Sequence, residues 1–202
     1  MKWLNNITLE TENVRLIPLG KEHAEALTES ASDGELWKLW YTSVPDAGSI
    51  RPYIAKALDD YEQDKGMAFA VVDKRNGLII GTTRYCNATP EHRRLEIGYT
   101  WYAKSYHRTH VNSECKLLLL QHAFETLGAI AVEFRTNWHN FTSRSAIQRL
   151  GAKQDGVLRN HQILPDGTLR DTVVFSIIES EWKSCKKALI FKIRNIHSLN
   201  RI

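Results

Sequence analysis

Apolar residues recur along this chain in two periods, and the changes of period mark out the elements. Asn13–Leu19 (NVRLIPL) alternates and is β-branched enough for a first strand. Gly20 leads into KEHAEALTESA, a helical pattern with Ala24 and Leu27 on one side. Gly34–Tyr41 (GELWKLWY) sets Leu36, Trp37 and Trp40 at i, i+1, i+4 and predicts a short amphipathic helix. After a loop with Pro45, Asp46 and Gly48, Pro52–Gln63 reads as another, through Ile54, Ala57, Leu58 and Tyr61. Met67–Asp73 is short, apolar and strand-like. Asn76-Gly77 then gives the strongest short hairpin signal, and Leu78–Cys86 returns as the partner strand. After a turn at Asn87–His92, Arg93–Tyr102 reads as a long strand. These three strands predict an antiparallel meander.

The period changes at Val111–Leu127, where Leu117, Leu120, Phe124 and Leu127 predict a helix buried against a sheet, stopped by Gly128. Ala129–Thr136 alternates as a strand. Asn140–Leu150 predicts a second helix, with Ala146, Ile147 and Leu150 inward. Val157–Leu164 and Leu169–Ile178 predict strands joined by Pro165-Asp166-Gly167. The order implies an α/β (α+β) fold: a mixed, mainly antiparallel sheet with helices on both faces.

Composition narrows the class. A chain of 202 residues, 43% hydrophobic and 25% charged, suits one globular domain with a substantial core. No apolar run approaches the ~18 residues of a membrane span, and the first residues lack an apolar signal core. Three scattered cysteines fit a reducing compartment, so a cytoplasmic location is expected. The net charge of +4 hides an asymmetry. Lys183, Lys186, Lys187, Lys192, Arg194 and Arg201 put +6 on the last twenty residues, which leaves the first 182 at −2. The body is therefore no basic nucleic-acid binder. We expect one domain over residues 1–182 and a basic extension over 183–202, solvated or a fraying helix, suited at most to a weak RNA or ribosome contact. The last two strands could pair between subunits of a homodimer.

The chemistry concentrates where the strand ending at Tyr102 gives way to the helix starting at Val111. A helix N-terminus offers unpaired N–H groups and about half a positive charge. Here Lys104, His107, Arg108 and His110 join it with no acid among them, a phosphate-binding arrangement. The second helix begins with Asn140, a strong N-cap, and Ser143 in its first turn.

On these motifs, residues 94–151 resemble the acyl-coenzyme-A-binding core of the GNAT acetyltransferases. The stretch is most similar to the ribosomal-protein N-acetyltransferase-like (RimJ/RimL-type) branch. The resemblance runs from LETENVRLIPL through GVLRNHQILPDGTLRDTVVFSI. It implies acetyl-CoA as co-substrate and transfer of acetyl to a primary amine. It implies pyrophosphate binding by backbone N–H groups of Arg108, Thr109, His110, Val111 and Asn112, the loop that His107 opens. It implies that Trp101, Tyr102 and Ala103 hydrogen-bond the pantetheine arm like an added strand. It implies that Asn140 and Ser143 line that arm, with Ser143 also a proton donor to the departing thiolate. The family's loop follows Gln/Arg-x-x-Gly-x-Gly/Ala, whereas His107, His110 and Asn112 stand here. A non-glycine residue forced to φ > 0 at His110 costs about 1–2 kcal/mol. A protonated His110 near phosphate offsets part of that loss. The alternative reading is a non-catalytic acyl-CoA-binding protein of the same fold.

Glu96 is the candidate general base, because the resemblance places a carboxylate on this strand near the acceptor amine. The competing readings are a surface carboxylate or a partner for Arg84 across the hairpin. Tyr85 and Tyr99 are expected to pack in the core, His122 to be a satisfied core histidine, and Cys115 to pack. Trp37 and Trp40 are candidates for one wall of the acceptor pocket, against plain core cover. His107 and His110 lack a third ligand at a convincing spacing, so no metal is expected.

Overall fold

The computed structural model describes residues 2–199, with side chains placed through Ile196. One eight-stranded sheet runs through the molecule in the order β1-β2-β3-β4-β5-β6-β8-β7. Its strands are β1 Leu9–Glu10, β2 Val14–Pro18, β3 Met67–Asp73, β4 Ile79–Thr89, β5 Arg94–Tyr102, β6 Ala131–Asn137, β7 Lys153–Ile163 and β8 Leu169–Ile178. All neighbours are antiparallel except β5 and β6.

The alternation in the strands divides the core in two. Helices α1 (Ala24–Ser32) and α2 (Ile50–Glu62) lay Leu27, Ala31, Ile50, Ile54 and Ala57 on one face of the sheet, against Ala68, Ala70 and Trp101. On the other face lie α3 (Val111–Gln121), α4 (Phe141–Gln148) and α5 (Glu179–Leu199), over Phe69, Tyr85, Ile97, Phe134 and Phe175.

Several sequence expectations meet a different structure. Gly34–Tyr41 is no helix beyond one 3-10 turn at Leu36–Lys38, because Gly34 and Glu35 both take positive φ (87° and 46°) and break the spiral. Leu36 is buried, whereas Trp40 is 58% exposed, so the predicted shared face does not form. Of the predicted stripe, Leu120 and Phe124 are buried, but Leu117 and Leu127 are only half-buried, as is Leu118; Val111, Cys115 and Leu119 on α3 and Ala123 beyond it complete the buried face. A π-helical turn over His122–Thr126 follows α3 and rotates its end relative to a continuous α-helix. The break expected after Trp182 falls inside α5, which continues through it. Cys185 and Leu189, beyond that point, are buried in the main core, so this part of the segment is not solvated. Lys186 pairs with Glu125 at 2.7 Å, beside the Trp182 indole on the same carboxylate. Arg201, the last of the basic residues, lies outside the described residues.

Candidate active site

The site begins as a fault in the sheet. β5 and β6 are parallel and pair only at Arg94–Glu96 with Ala131–Glu133. Beyond Glu96 they part: β5 stays with β4, and β6 stays with β8 to its end at Asn137. The cause is local. Thr82 faces Trp101 and Arg84 faces Gly98, so β5 spends one extra residue in that interval. Tyr99 sits inside the bulge in the left-handed region at φ 50°. Such a bulge increases twist and turns the strand. The result is a cleft whose walls are the inner edges of β5 and β6.

Glu96 stands at the vertex. It is 7% exposed, not a surface carboxylate. Asn87 Nδ2 donates to its Oε2 at 2.8 Å, and Arg135 Nε lies 3.6 Å from the same oxygen. Arg84, the cross-hairpin partner of the competing reading, faces Gly98 in the register and lays its guanidinium on the Tyr53 and Tyr99 rings rather than on the Glu96 carboxylate. Next to Glu96, Glu133 on β6 takes hydrogen bonds from Arg94 and Arg135. The two carboxylates are therefore pushed apart. Burial drives the Glu96 carboxyl above its ordinary range, and the Asn87 amide and Arg135 charge only partly oppose it. Burial also pushes on Glu133, but its hydrogen bonds to Arg94 and Arg135 prevail and hold it below the usual range. Such a divided pair supplies one permanent anion and one group able to take up a proton. Gly98 keeps this corner open: a Cβ there would lie 3.2 Å from Glu96 Oε1 and 3.1 Å from Cys86 Sγ.

At the other end of β5 the chain enters the strand-to-helix loop. Ala103 N–H closes the strand on Ile80 O at 2.8 Å. Asp33, after α1, anchors the next turn: its carbonyl accepts from Lys104 N–H at 3.1 Å and its carboxylate from Ser105 N–H at 2.8 Å. His107 Nε2 lies 2.9 Å from Tyr102 O. Thr109 Oγ1 donates to Tyr106 O at 2.8 Å and accepts from Val111 N–H at 3.3 Å. Tyr102 OH donates to Asn112 Oδ1 at 3.3 Å, tying the strand to the helix.

The strain expected at His110 is not there. His110 has φ −67°, an ordinary helical value, and the left-handed residue is Arg108 at φ 62°. Nor does the imidazole face a ligand from the loop. It is 5% exposed and lies with Nδ1 3.1 Å from Glu114 Oε1, one turn along α3. Glu114 in turn accepts from Asn13 Nδ2 at 3.0 Å and from the Thr11 hydroxyl. Glu114 is thus the internal tie between α3 and the β1–β2 turn, and the buried His110 imidazole packs beside its carboxylate. We predict that Arg108→Gly raises unfolding free energy by about 1 kcal/mol, since glycine meets no steric penalty at that φ. His110→Gly, which restores the residue usual in the loop, should lower it by removing a buried imidazole from beside Glu114. Urea unfolding of both variants checks the pair; a gain from His110→Gly would contradict the assignment of strain.

Asn140 caps α4, its Oδ1 accepting from Ser143 N–H at 3.0 Å. Both stand just past the end of β6, on the wall opposite β5. Asn140→Ala should cost about 1 kcal/mol of stability through the lost cap, read as a lower thermal midpoint. Trp40 crosses toward this wall: its ring centroid is 5.3 Å from that of His139. Trp37 instead packs half-buried on the α1–α2 core.

Other expectations sort by face. Tyr85 is fully buried, its hydroxyl donating to Leu119 O at 2.6 Å and stacked on His122, which is also buried. Tyr99 is not core: the bulge leaves it 49% exposed beside Glu96. Cys115 is buried, and burial pushes its thiol up to about 12. Sequence reasoning passed over Asn87, Arg135 and Glu133. The period-two spacing of Glu133 and Arg135 on β6 carries the signal, but only the parallel register with Glu96 turns it into a site.

The fold that holds this cleft has known relatives. Residues 13–153 match the family described as "Acetyltransferase (GNAT) domain". The chain belongs to the GNAT acetyltransferase family. This acetyltransferase is 27% identical over 176 residues to "Uncharacterized N-acetyltransferase YoaA" of Bacillus subtilis (strain 168), covering 85% of this chain and 96% of YoaA. A crystal structure of a GCN5-related N-acetyltransferase from Brucella melitensis superposes with TM-score 0.82 at 27% identity, over 94% of this chain and 86% of that one. Mycobacterium smegmatis RimJ, solved in complex with CoA-disulfide, shares the fold with TM-score 0.75 at 19% identity, over 93% of each chain. No helix among the described residues is long and apolar enough to cross a membrane.

Proposed function

We propose that this acetyltransferase uses acetyl-CoA and acetylates a primary amine, a protein N-terminus or a small amine, by direct attack on the thioester. One observation carries the reading: the sheet opens immediately beyond the buried carboxylate of Glu96, and β5 leads from there into the N-terminus of α3. Backbone N–H groups of Arg108, Thr109, His110, Val111 and Asn112 take the pyrophosphate, where the helix dipole favours negative charge. The pantetheine arm lies along Trp101, Tyr102 and Ala103, using main-chain groups that β6 does not reach. Asn140 and Ser143 line its other side. Trp40 forms an acceptor-side wall at the mouth of the cleft, and Trp37 supports it from the core.

The chemistry balances with these groups. The amine nitrogen attacks the thioester carbonyl carbon, a C–N bond forms and the C–S bond breaks. The amine gives up a proton to Glu96, the thiolate takes one from the Ser143 hydroxyl, and exchange with water returns a proton to Ser143 and removes the one on Glu96. An α-amino group, with a pKa near ~7.7–8.0, is already about one-tenth neutral at pH 7, so a base with a raised pKa suffices. Thiol release measured over a panel of amines and peptides tests the reading. Stoichiometric release with at least one primary amine is expected. No release with any acceptor, despite a rise in thermal midpoint with coenzyme A, would sink amine transfer; no rise would sink the coenzyme assignment.

A further inference from the structure

Two arginines beside Glu96 have no counter-ion among the described residues. Arg84 on β4 is 3% exposed, and its Nε is buried without a hydrogen-bond acceptor there. Its guanidinium lies between two rings, 4.5 Å from the centroid of Tyr53 and 4.1 Å from that of Tyr99. Arg170 on β8 is half-buried, and its Nε is likewise without an acceptor. Glu96 Oε1 reaches to 3.2 Å from where a Gly98 Cβ would stand, and Gly98 pairs with Arg84 across the hairpin, so Arg84 and Glu96 meet at one corner; the Arg170 charge acts on Glu96 and Tyr99 there.

The acids of this region are already engaged. Glu96 has Asn87 and Arg135, Glu133 has Arg94 and Arg135, Asp171 has Arg159, and Asp60 has Lys56. Two positive charges are left over next to the base. A buried guanidinium without an anion is expensive, and ring faces satisfy its charge but not its five N–H donors. The strained Tyr99 adds a second cost at the same spot, of the kind held at binding sites. Tyr53 OH donates to Tyr99 O at 3.3 Å and fixes this cage from α2.

We infer that the acceptor amine carries a carboxylate, which docks on Arg84 and Arg170 while the amine meets Glu96. The inference rests on Glu96 lying at the acceptor site. Geometry agrees: Arg84 faces Gly98, two residues along β5 from Glu96. Residues two apart on a strand stand about 6.5–7 Å from each other and the neighbouring strand lies about 5 Å across, so Glu96 and Arg84 are rooted within side-chain reach of one small ligand. With a hydrogen bond at each end, that reach matches an amine and a carboxylate a few bonds apart. An α-amino acid offers this pair, and so does a peptide N-terminus with an acidic first residue. Polyamines are disfavoured, since they bring further positive charge to two unpaired cations.

Calorimetric titration of the protein saturated with coenzyme A tests the inference without turnover. One arm compares the common L-amino acids with their carboxamides. A second compares Asp-Ala and Glu-Ala amides with Asn-Ala and Gln-Ala amides. Spermidine serves as the cationic control. At least one acid should bind about tenfold or more tighter than its neutral counterpart, the increment of a charge-assisted hydrogen bond. The arm that responds identifies the source of the carboxylate. Arg84→Met and Arg170→Gln should each erase the preference and leave the amides unchanged, whereas Arg84→Lys should retain part of it. Equal binding of acids and amides, tighter binding of spermidine, or no binding by any acid overturns the inference. An equal loss for acids and amides in both variants does so too, because it marks a packing role. If Arg84→Met does not fold, Arg170→Gln decides. Thiol release on the same panel separates the two readings. Selective binding of acids without release sinks amine transfer and keeps the carboxylate site; release from amides and acids alike does the reverse.

Discussion

Glu96→Gln is expected to slow acetyl transfer by about a hundredfold or more, the usual contribution of a positioned general base. The substitution keeps the shape and removes the proton acceptor. The buried corner should survive it, because an amide oxygen still accepts from Asn87, which donates to Glu96 at 2.8 Å. Stability should change little. Burial raises the Glu96 carboxyl in the folded state, so its charge opposes folding once the pH passes the unfolded value. Gln removes that penalty but leaves Arg135 with Glu133 alone as its carboxylate partner. The pH profile is the sharper readout. The wild-type rate should rise with pH through an apparent pKa above the ordinary carboxylate range, and the Gln variant should lose that limb. Unchanged kcat with the limb intact would remove Glu96 from the mechanism.

Lys116→Met is expected to stabilise the protein at pH 7 by up to roughly 3 kcal/mol, at 1.36 kcal/mol per unit of pKa. Lys116 lies on α3 and is 5% exposed. Its ammonium donates to Thr100 Oγ1 at 2.7 Å and lies 3.4 Å from Thr83 Oγ1. It has no carboxylate within ion-pair distance among the described residues. Burial depresses its pKa from 10.5 to about 8. The folded state thus holds the proton less tightly than the unfolded chain. The penalty is fully present below about pH 8 and is relieved as the pH climbs toward 10.5, so wild-type stability should gain over that window. Methionine fills similar space without the charge. The two threonine hydroxyls, 2.7 Å apart, still satisfy one another. Urea unfolding at pH 7 and pH 9.5 tests this. The difference between variant and wild type should shrink with pH, which sets aside other groups titrating there. A less stable variant at pH 7 would show that the threonine contacts outweigh the desolvation.

Much of the fold was legible in the residues, for reasons that also explain the misses. β8 runs over Leu169–Ile178 as read, because β-branched and aromatic residues following a Pro-Asp-Gly turn favour a strand. Gly34–Tyr41 misled because i, i+4 spacing says nothing about Glu35, whose left-handed backbone forbids a continuous helix. The leucines of α3 misled differently. Four consecutive leucines suit either face, and the π-turn after Gln121 shifts the phase of the residues beyond it. The loop misled through a family pattern: His110 stands at a position where glycine is usual, but the unusual φ has moved to Arg108. Arg84, Arg135 and Arg170 could not be assigned at all. Alternation gives the face of each residue but not its register against a strand far away in sequence. A site assembled from β4, β5, β6 and β8 exists only once that register is fixed.

The short pairing of β5 with β6 also bears on how the protein is observed. An ordinary open sheet has two edges, but this one has four, since parting after Glu96 creates two inner ones. Main-chain amides on those inner edges have no strand to protect them from hydrogen–deuterium exchange. They lie within the sheet rather than on its rim, so a neighbouring protein's strand cannot easily reach them. Exchange at those amides of Ile97–Tyr102 and Phe134–Asn137 that point away from β4 and β8 therefore amounts to a built-in occupancy gauge. It reports, residue by residue, how far a ligand has entered the cleft, and needs neither a label nor a turnover event.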